Sequence, residues 1–177
     1  MRLIDRPEPG EYAPYTVAYF DLVPPGNVLD LMAEQMRATP ALVGSLPDDA
    51  LSVPHLPGEW TVKEIVQHVS DDERIYAYRA LRFARGDDTE LPGFEQDDYS
   101  AAASANRRSL DDLLAEYVSV RQATISLFEG LPDDALRRIG TANGSVMSVR
   151  AAALHILGHE LHHLASIDEH YGPLRSP

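Results

Sequence analysis

"SVRAAALHILGHELHHLASIDEHYG", Ser148 to Gly172, decides the architecture. A serine suited to capping stands at its start and a glycine at its end, so it reads as one helix from about Val149 to His170. Four of the chain's seven histidines, at 155, 159, 162 and 163, fall within nine residues of it. Packing alone rarely needs so many. On a helical wheel with His155 at zero, Val149, Ile156 and Ile167 lie at roughly 100–120°, His163 near 80°, His159 near 40° and His162 near −20°. His159 and His163 therefore border the apolar face, while His155 and His162 lie farther round toward solvent. The pair His159 and His163, four residues apart, places two imidazoles one turn from each other, as a shared metal requires.

Working outward, three further helices are predicted. The first runs from about Asn27 to Ser45, with Val28, Met32 and Met36 on one face and Pro40 as a kink or a second start. The next is announced by "WTVKEI": Thr61 and Glu64 have capping-box spacing, and Trp60 and Ile65 stand where a hydrophobic staple would. It should continue to about Arg85, ahead of Gly86. Another begins after Ser109, carries Leu113, Tyr117, Ile125 and Phe128, and stops before "GLPDDAL". Between helices lie the turn-rich "LPDDALSVPHLPGE", the long acidic loop "GDDTELPGFEQDDYSAAASAN", a candidate lid, and "GTANGS", read as turn material. No alternation of apolar and polar residues is long enough to demand a sheet. The expectation is an all-α protein, a four-helix bundle in one domain over 1–177, with an extended arm (1–25), a bundle (26–172) and a tail (173–177).

Helix two offers a third ligand. His68 shares a stripe with Ile65, Val69, Asp72, Ile75 and Tyr76, and should point inward. Alone, it would read as a core histidine bonded to a carboxylate such as Asp72. Beside the pair on the last helix, it completes a candidate site of His68, His159 and His163. "HELHH" also matches the zinc-protease pattern H-E-x-x-H, with Glu160 at the general-base position. The extended pattern fails, because Ser166 and Glu169 occupy the places of its glycine and further histidine. Glu160 lies toward the core, as a partner behind a ligand, a catalytic proton acceptor, or a buried carboxylate paired with an arginine such as Arg79.

Composition narrows the chemistry. A hydrophobic fraction of 44% in 177 residues suffices for one core, and no apolar run approaches a membrane span or a signal peptide, so a cytoplasmic protein is expected. The formal charge of −13 argues against nucleic acid as a partner. Every basic residue but Lys63 is arginine. With no cysteine, any thiol chemistry must use a thiol from outside. Arg79 and Arg82 are candidates for holding a carboxylate, or for ion pairs near Asp72 and Glu73. His55 and His170 read as surface or packing residues, and Tyr12, Tyr15 and Tyr19 as packing for the arm.

The arm "EYAPYTVAYFDLVPPGNVLDLMAEQ", the segment "PGEWTVKEIVQHVSDDE", the loop "LPGFEQDDY" and "AALHILGHELHHLASI" together resemble the DinB-like superfamily of four-helix metalloproteins, which includes the YfiT-like group. The resemblance spans nearly the whole chain. It implies a divalent metal, zinc or nickel first and iron or manganese next, held by His68, His159 and His163 with open positions for water. It further implies transfer of a low-molecular-weight thiol, bacillithiol or mycothiol in type, to an electrophile. A metal-dependent hydrolase and a metal-binding stress protein without turnover are the alternatives, and a homodimer is expected. Three neutral histidines leave such an ion its full charge and open coordination, the arrangement of catalytic rather than closed sites.

Overall fold

Thr61 starts the helix that carries His68, and it does so with a complete capping box. Its Oγ1 accepts from the Glu64 amide at 3.2 Å, and the Glu64 carboxylate accepts from the Thr61 amide at 2.9 Å. Trp60 and Ile65 meet the same apolar cluster. Thr61→Ala should lower stability by about 0.5–2 kcal/mol. A urea midpoint equal to the parent's would show that the cap contributes nothing.

In the computed structural model, which describes residues 1–175, the helices are α1 (Val17–Phe20), α2 (Val28–Gly44), α3 (Val62–Ala84), α4 (Gln96–Ala103), α5 (Leu110–Glu129) and α6 (Val149–Tyr171). Two strands, β1 (Ile139–Ala142) and β2 (Ser145–Ser148), precede α6. Residues 176 and 177 of the expected tail lie outside the described residues. Ser109 and Ser148 cap α5 and α6 through the amides of Asp112 and Ala151. Among the described residues no helix is long and apolar enough to cross a membrane.

The bundle consists of α2, α3, α5 and α6. Both α2 and α3 pack against both α5 and α6, so α2 faces α3 across one diagonal and α5 faces α6 across the other. Diagonal partners cannot be joined by tight turns, which accounts for the long connections 45–61 and 130–148. One apolar cluster collects the starts of α2 and α6 and the ends of α3 and α5: Leu29, Met32, Phe83, Phe128 and Leu157. A second collects the opposite ends: Val43, Val66, Leu113, Tyr117 and Ile167. Helices α2 and α6 therefore run one way, and α3 and α5 the other. Between the clusters, each helix buries polar groups at mid-height: Thr39, then His68, Asp72 and Glu73, then Arg121, then His155, His159 and Glu160. This polar belt holds the candidate site.

Four expectations need correction. "GTANGS" is the turn of a hairpin, with Ile139 opposite Ser148 and Ala142 opposite Ser145. Asn143 and Gly144 have φ of 51° and 68°, the left-handed pair that a tight hairpin turn requires. Strands of four residues are too short to display alternation. The expected acidic loop contains α4, and its Leu91 bonds to the backbone of Thr141 and Asn143, pinning it to the hairpin. The arm is partly helical, through a 3-10 turn at Pro14–Thr16 and α1. Finally, α2 runs through Pro40 as one helix, so of the two readings of that proline the second start is excluded.

Candidate metal centre

Helix α3 supplies His68 and helix α6 supplies His159 and His163. The Nε2 of His159 lies 3.1 Å from Nε2 of His68 and 3.1 Å from Nε2 of His163. Two nitrogens bound to one ion at about 2.0–2.1 Å stand roughly 2.9 Å apart at a right angle and about 3.4 Å apart at the tetrahedral angle. The two spacings to His159 fall between these, and all three ligand nitrogens lie within 4.8 Å of one another. With Nε2 deprotonated on each ring, three lone pairs meet in one small space and a cation there satisfies all three, so the residues fit a divalent metal. His68 and His159 are buried, and His163 is half-buried at the rim. The ring of Trp60 flanks the site, 4.6 Å from His68 and 6.3 Å from His163 between centroids.

Asp72 stands behind this triangle. Its Oδ2 is 3.3 Å from Nδ1 of His159 and 3.4 Å from Nε2 of His155. A carboxylate on that side favours the proton on Nδ1 of His159 and leaves its Nε2 free to bind a metal. The sequence offers Asp72 as a partner of His68 or of the arginines Arg79 and Arg82; it serves the neighbouring helix instead. Burial raises its carboxyl pKa, but the imidazoles of His159, His155 and His68 outweigh burial and bring it down to about 2.

His155 corrects the wheel. Expected toward solvent, it is buried, stacked on Tyr76 at 3.7 Å and covered edgewise by Tyr19 of the arm. The wheel gave its angle correctly as away from the helical core, but the arm closes that side. His162 is exposed, as expected. The arm's approach depends on Gly158. A Cβ there would lie 2.3 Å from the Tyr19 carbonyl oxygen, a backbone atom with little room to yield. Gly158→Ala gains about 1 kcal/mol of helix propensity, yet overpacking costs about 1–3 kcal/mol, so net destabilisation with loosening of the arm is expected. Unchanged thermal stability and unchanged proteolysis of the first 25 residues would contradict this.

Glu160 does not face the histidines. Its Oε1 accepts from Thr39 Oγ1 at 2.6 Å and from the Tyr117 hydroxyl, and its Oε2 lies 2.8 Å from Arg121. Arg121, wholly buried, also grips Glu73 with bonds of 2.9–3.0 Å. The arginine paired with Glu160 is thus Arg121, not Arg79, and this network engages both carboxylate oxygens. Arg121 was legible but overlooked: it follows Leu113 and Tyr117 on one stripe of α5. Arg82 pairs with Asp87 rather than Asp72 or Glu73, and Arg79 bonds the Pro92 carbonyl at 3.0 Å. His55 and His170 stack on each other at 3.9 Å, and the Tyr12 ring packs on Phe20, both away from the metal ligands.

The histidines also set a pH dependence. Burial lowers the pKa of His159 to about 3, against the opposing pull of Asp72, and that of His163 to about 2; His68 is lowered for the same reason. The unfolded chain binds these protons near pH 6.5 and the folded chain does not. This contribution to the stability of the metal-free protein is therefore complete above about pH 7 and is lost progressively as the pH falls from about 6.5 toward 3. Each such histidine contributes up to about 1.4 kcal/mol per pH unit in that window. Equal urea midpoints at pH 5 and pH 7 would refute this.

Comparison with known proteins follows the same lines. A protein of Oceanobacillus iheyensis named as a candidate metal-dependent hydrolase is 27% identical over 128 residues, covering 71% of this chain and 72% of its own. Another so named, from Bacillus pumilus, is 27% identical over 145 residues, covering 80% and 81%. The structure of YfiT from Bacillus subtilis, described as a candidate metal-dependent hydrolase with an unusual four-helix bundle topology, shares this fold. Its TM-score is 0.70 at 17% identity, over 93% of this chain and 90% of that one. Residues 31–167 match the family model of the DinB superfamily, and the chain belongs to that superfamily.

Proposed function

We propose that the chain is a metal-dependent enzyme that transfers an external low-molecular-weight thiol, of the bacillithiol or mycothiol type, to an electrophile. The observation that carries this reading is the division of labour in the polar belt. Three imidazoles converge on one point, while the nearby acids are engaged elsewhere, Asp72 behind His159 and Glu160 with Arg121. Among the described residues no carboxylate oxygen joins the three nitrogens to take a proton from water. A thiol, with a pKa near 8.5, needs far less help than water to become a nucleophile. A divalent ion, zinc or nickel by the preference of imidazole ligands, supplies when bound the charge that lowers the pKa of a thiol or a water beside it.

The chain's own residues do the rest. Burial keeps the imidazoles neutral and available, Asp72 orients His159, and Trp60 screens one side of the centre from water. In the reaction the thiol proton passes to solvent, a sulfur–carbon bond forms, and the leaving group departs with its electron pair. A second reading, metal-dependent hydrolysis, is favoured by the names of the relatives.

The test uses protein purified without a histidine tag and loaded with cobalt. Bacillithiol or mycothiol should produce intense sulfur-to-metal charge-transfer absorption, with glutathione as control, and the mixture should conjugate a haloarene faster than metal-free protein does. If no thiol perturbs the spectrum while ester or amide cleavage appears, hydrolysis replaces transfer.

A further inference from the structure

Arg79 is buried to 94% of its surface, yet no carboxylate lies within 4.0 Å of its guanidinium among the described residues. Its partners are the Pro92 carbonyl at 3.0 Å and the face of Tyr76, 5.0 Å from its central carbon. One of five N–H donors is thereby used. The other arginines nearby are matched: Arg74 with Asp71 and Glu116, Arg82 with Asp87, Arg121 with Glu73 and Glu160. A cation at this depth without a counter-charge is costly, and one aromatic face offsets only part of that cost.

Arg79 lines two cavities. One, beneath the arm beside His155, measures about 20 Å³ and has room for a single water. The other, about 270 Å³, opens between α3 and the connection to α4; its walls are Tyr78, Leu91, Pro92, Phe94 and Tyr99, and Arg74, already paired with Asp71 and Glu116, also lines it. In a chain of net charge −13, none of the residues lining this cavity is acidic. The wall is held in place: Leu91 is bonded to the hairpin, and Gly93 sits so close to Asn143 that a Cβ would lie 2.4 Å from its side-chain oxygen. A largely apolar, aromatic-walled cavity whose lining holds one arginine without a carboxylate partner is complementary to a small molecule with an aromatic or alkyl body and one carboxylate.

We propose that Arg79 anchors the carboxylate of such a ligand in this cavity. The site lies on the same stripe of α3 as His68 but eleven residues on, about 16 Å along the helix, so it is separate from the metal centre. It can be tested without metal or turnover.

The probe is 3-phenylpropionate, compared with its neutral counterpart 3-phenyl-1-propanol, by calorimetry and NMR shift mapping on the full chain. The acid should bind at least tenfold more tightly than the alcohol, with shifts centred on Tyr78, Phe94 and Tyr99. Arg79→Met should remove the tenfold preference and leave the alcohol's weak binding in place. Arg79→Lys, which keeps the charge but loses the planar fork, should retain part of the preference and serves if the methionine variant fails to fold. A role confined to pinning Pro92 would move thermal stability but could not make the wild-type protein distinguish acid from alcohol. Equal binding of the two, binding of neither up to about 10 mM, a binding free energy well below that of a millimolar ligand, or shifts elsewhere would overturn the proposal.

Discussion

His159→Ala should leave the protein without tightly bound metal, and His68→Ala and His163→Ala should do the same. The parent, purified without a tag, should carry one divalent ion per chain. His159 is the hinge of the site, since its Nε2 is the one within 3.1 Å of both other nitrogens. Losing the partner behind a ligand typically weakens a metal about 10–100-fold, and losing the ligand itself should exceed that range. Asp72→Asn should therefore fall inside the range, having kept the three imidazoles but weakened the hold on Nδ1 of His159. His162→Ala, exposed on the far side, should bind metal as the parent does. Elemental analysis together with chelator competition checks the series. Full metal content in the His68 variant would dissolve the three-histidine centre.

Arg121→Ala should be the most destabilising single change in the bundle. It would leave Glu73 and Glu160 buried at 1% and 0% side-chain exposure with no cation between them. Stripping one partner from a buried ion pair costs about 3–5 kcal/mol, a large fraction of the ~5–15 kcal/mol that holds a domain of this size. The charged network itself is not a large source of net stability. The triple variant Arg121→Met, Glu73→Gln, Glu160→Gln, which removes charge from all three positions at similar volume, should recover much of the loss. Urea unfolding of the two variants separates these claims. An alanine variant as stable as the parent would mean that the three groups do not meet, whereas a triple variant no better than the single one would mean that the network's hydrogen bonds matter more than its charge balance. The Tyr117 hydroxyl, whose pKa is raised by burial and by the neighbouring Glu160, stays protonated and continues to donate in the parent.

The sequence by itself determined everything carried by local periodicity and local hydrogen bonding. Thr61 with Glu64, Ser109 and Ser148 mark three helix starts, because a cap is settled within four residues of chain. The angular bookkeeping of α6 and α3 likewise selected His68, His159 and His163 as a set, since a wheel fixes where a side chain points on its own helix. Only the tertiary structure decided what meets each side chain there. The burial of His155 depends on the arm, brought onto α6 by the absence of a side chain at Gly158. The partner of Glu160 comes from α5, and Thr39 from α2 joins the same carboxylate, so the network is written across all four helices and appears in no single stretch. The hairpin was hidden for a different reason: strands of four residues are too short for a period of two to stand out, and Asn143–Gly144 reads as any turn until the strands on either side pair. Local rules are satisfied within a turn or two of helix, whereas buried charge must be balanced by whichever element the fold brings alongside.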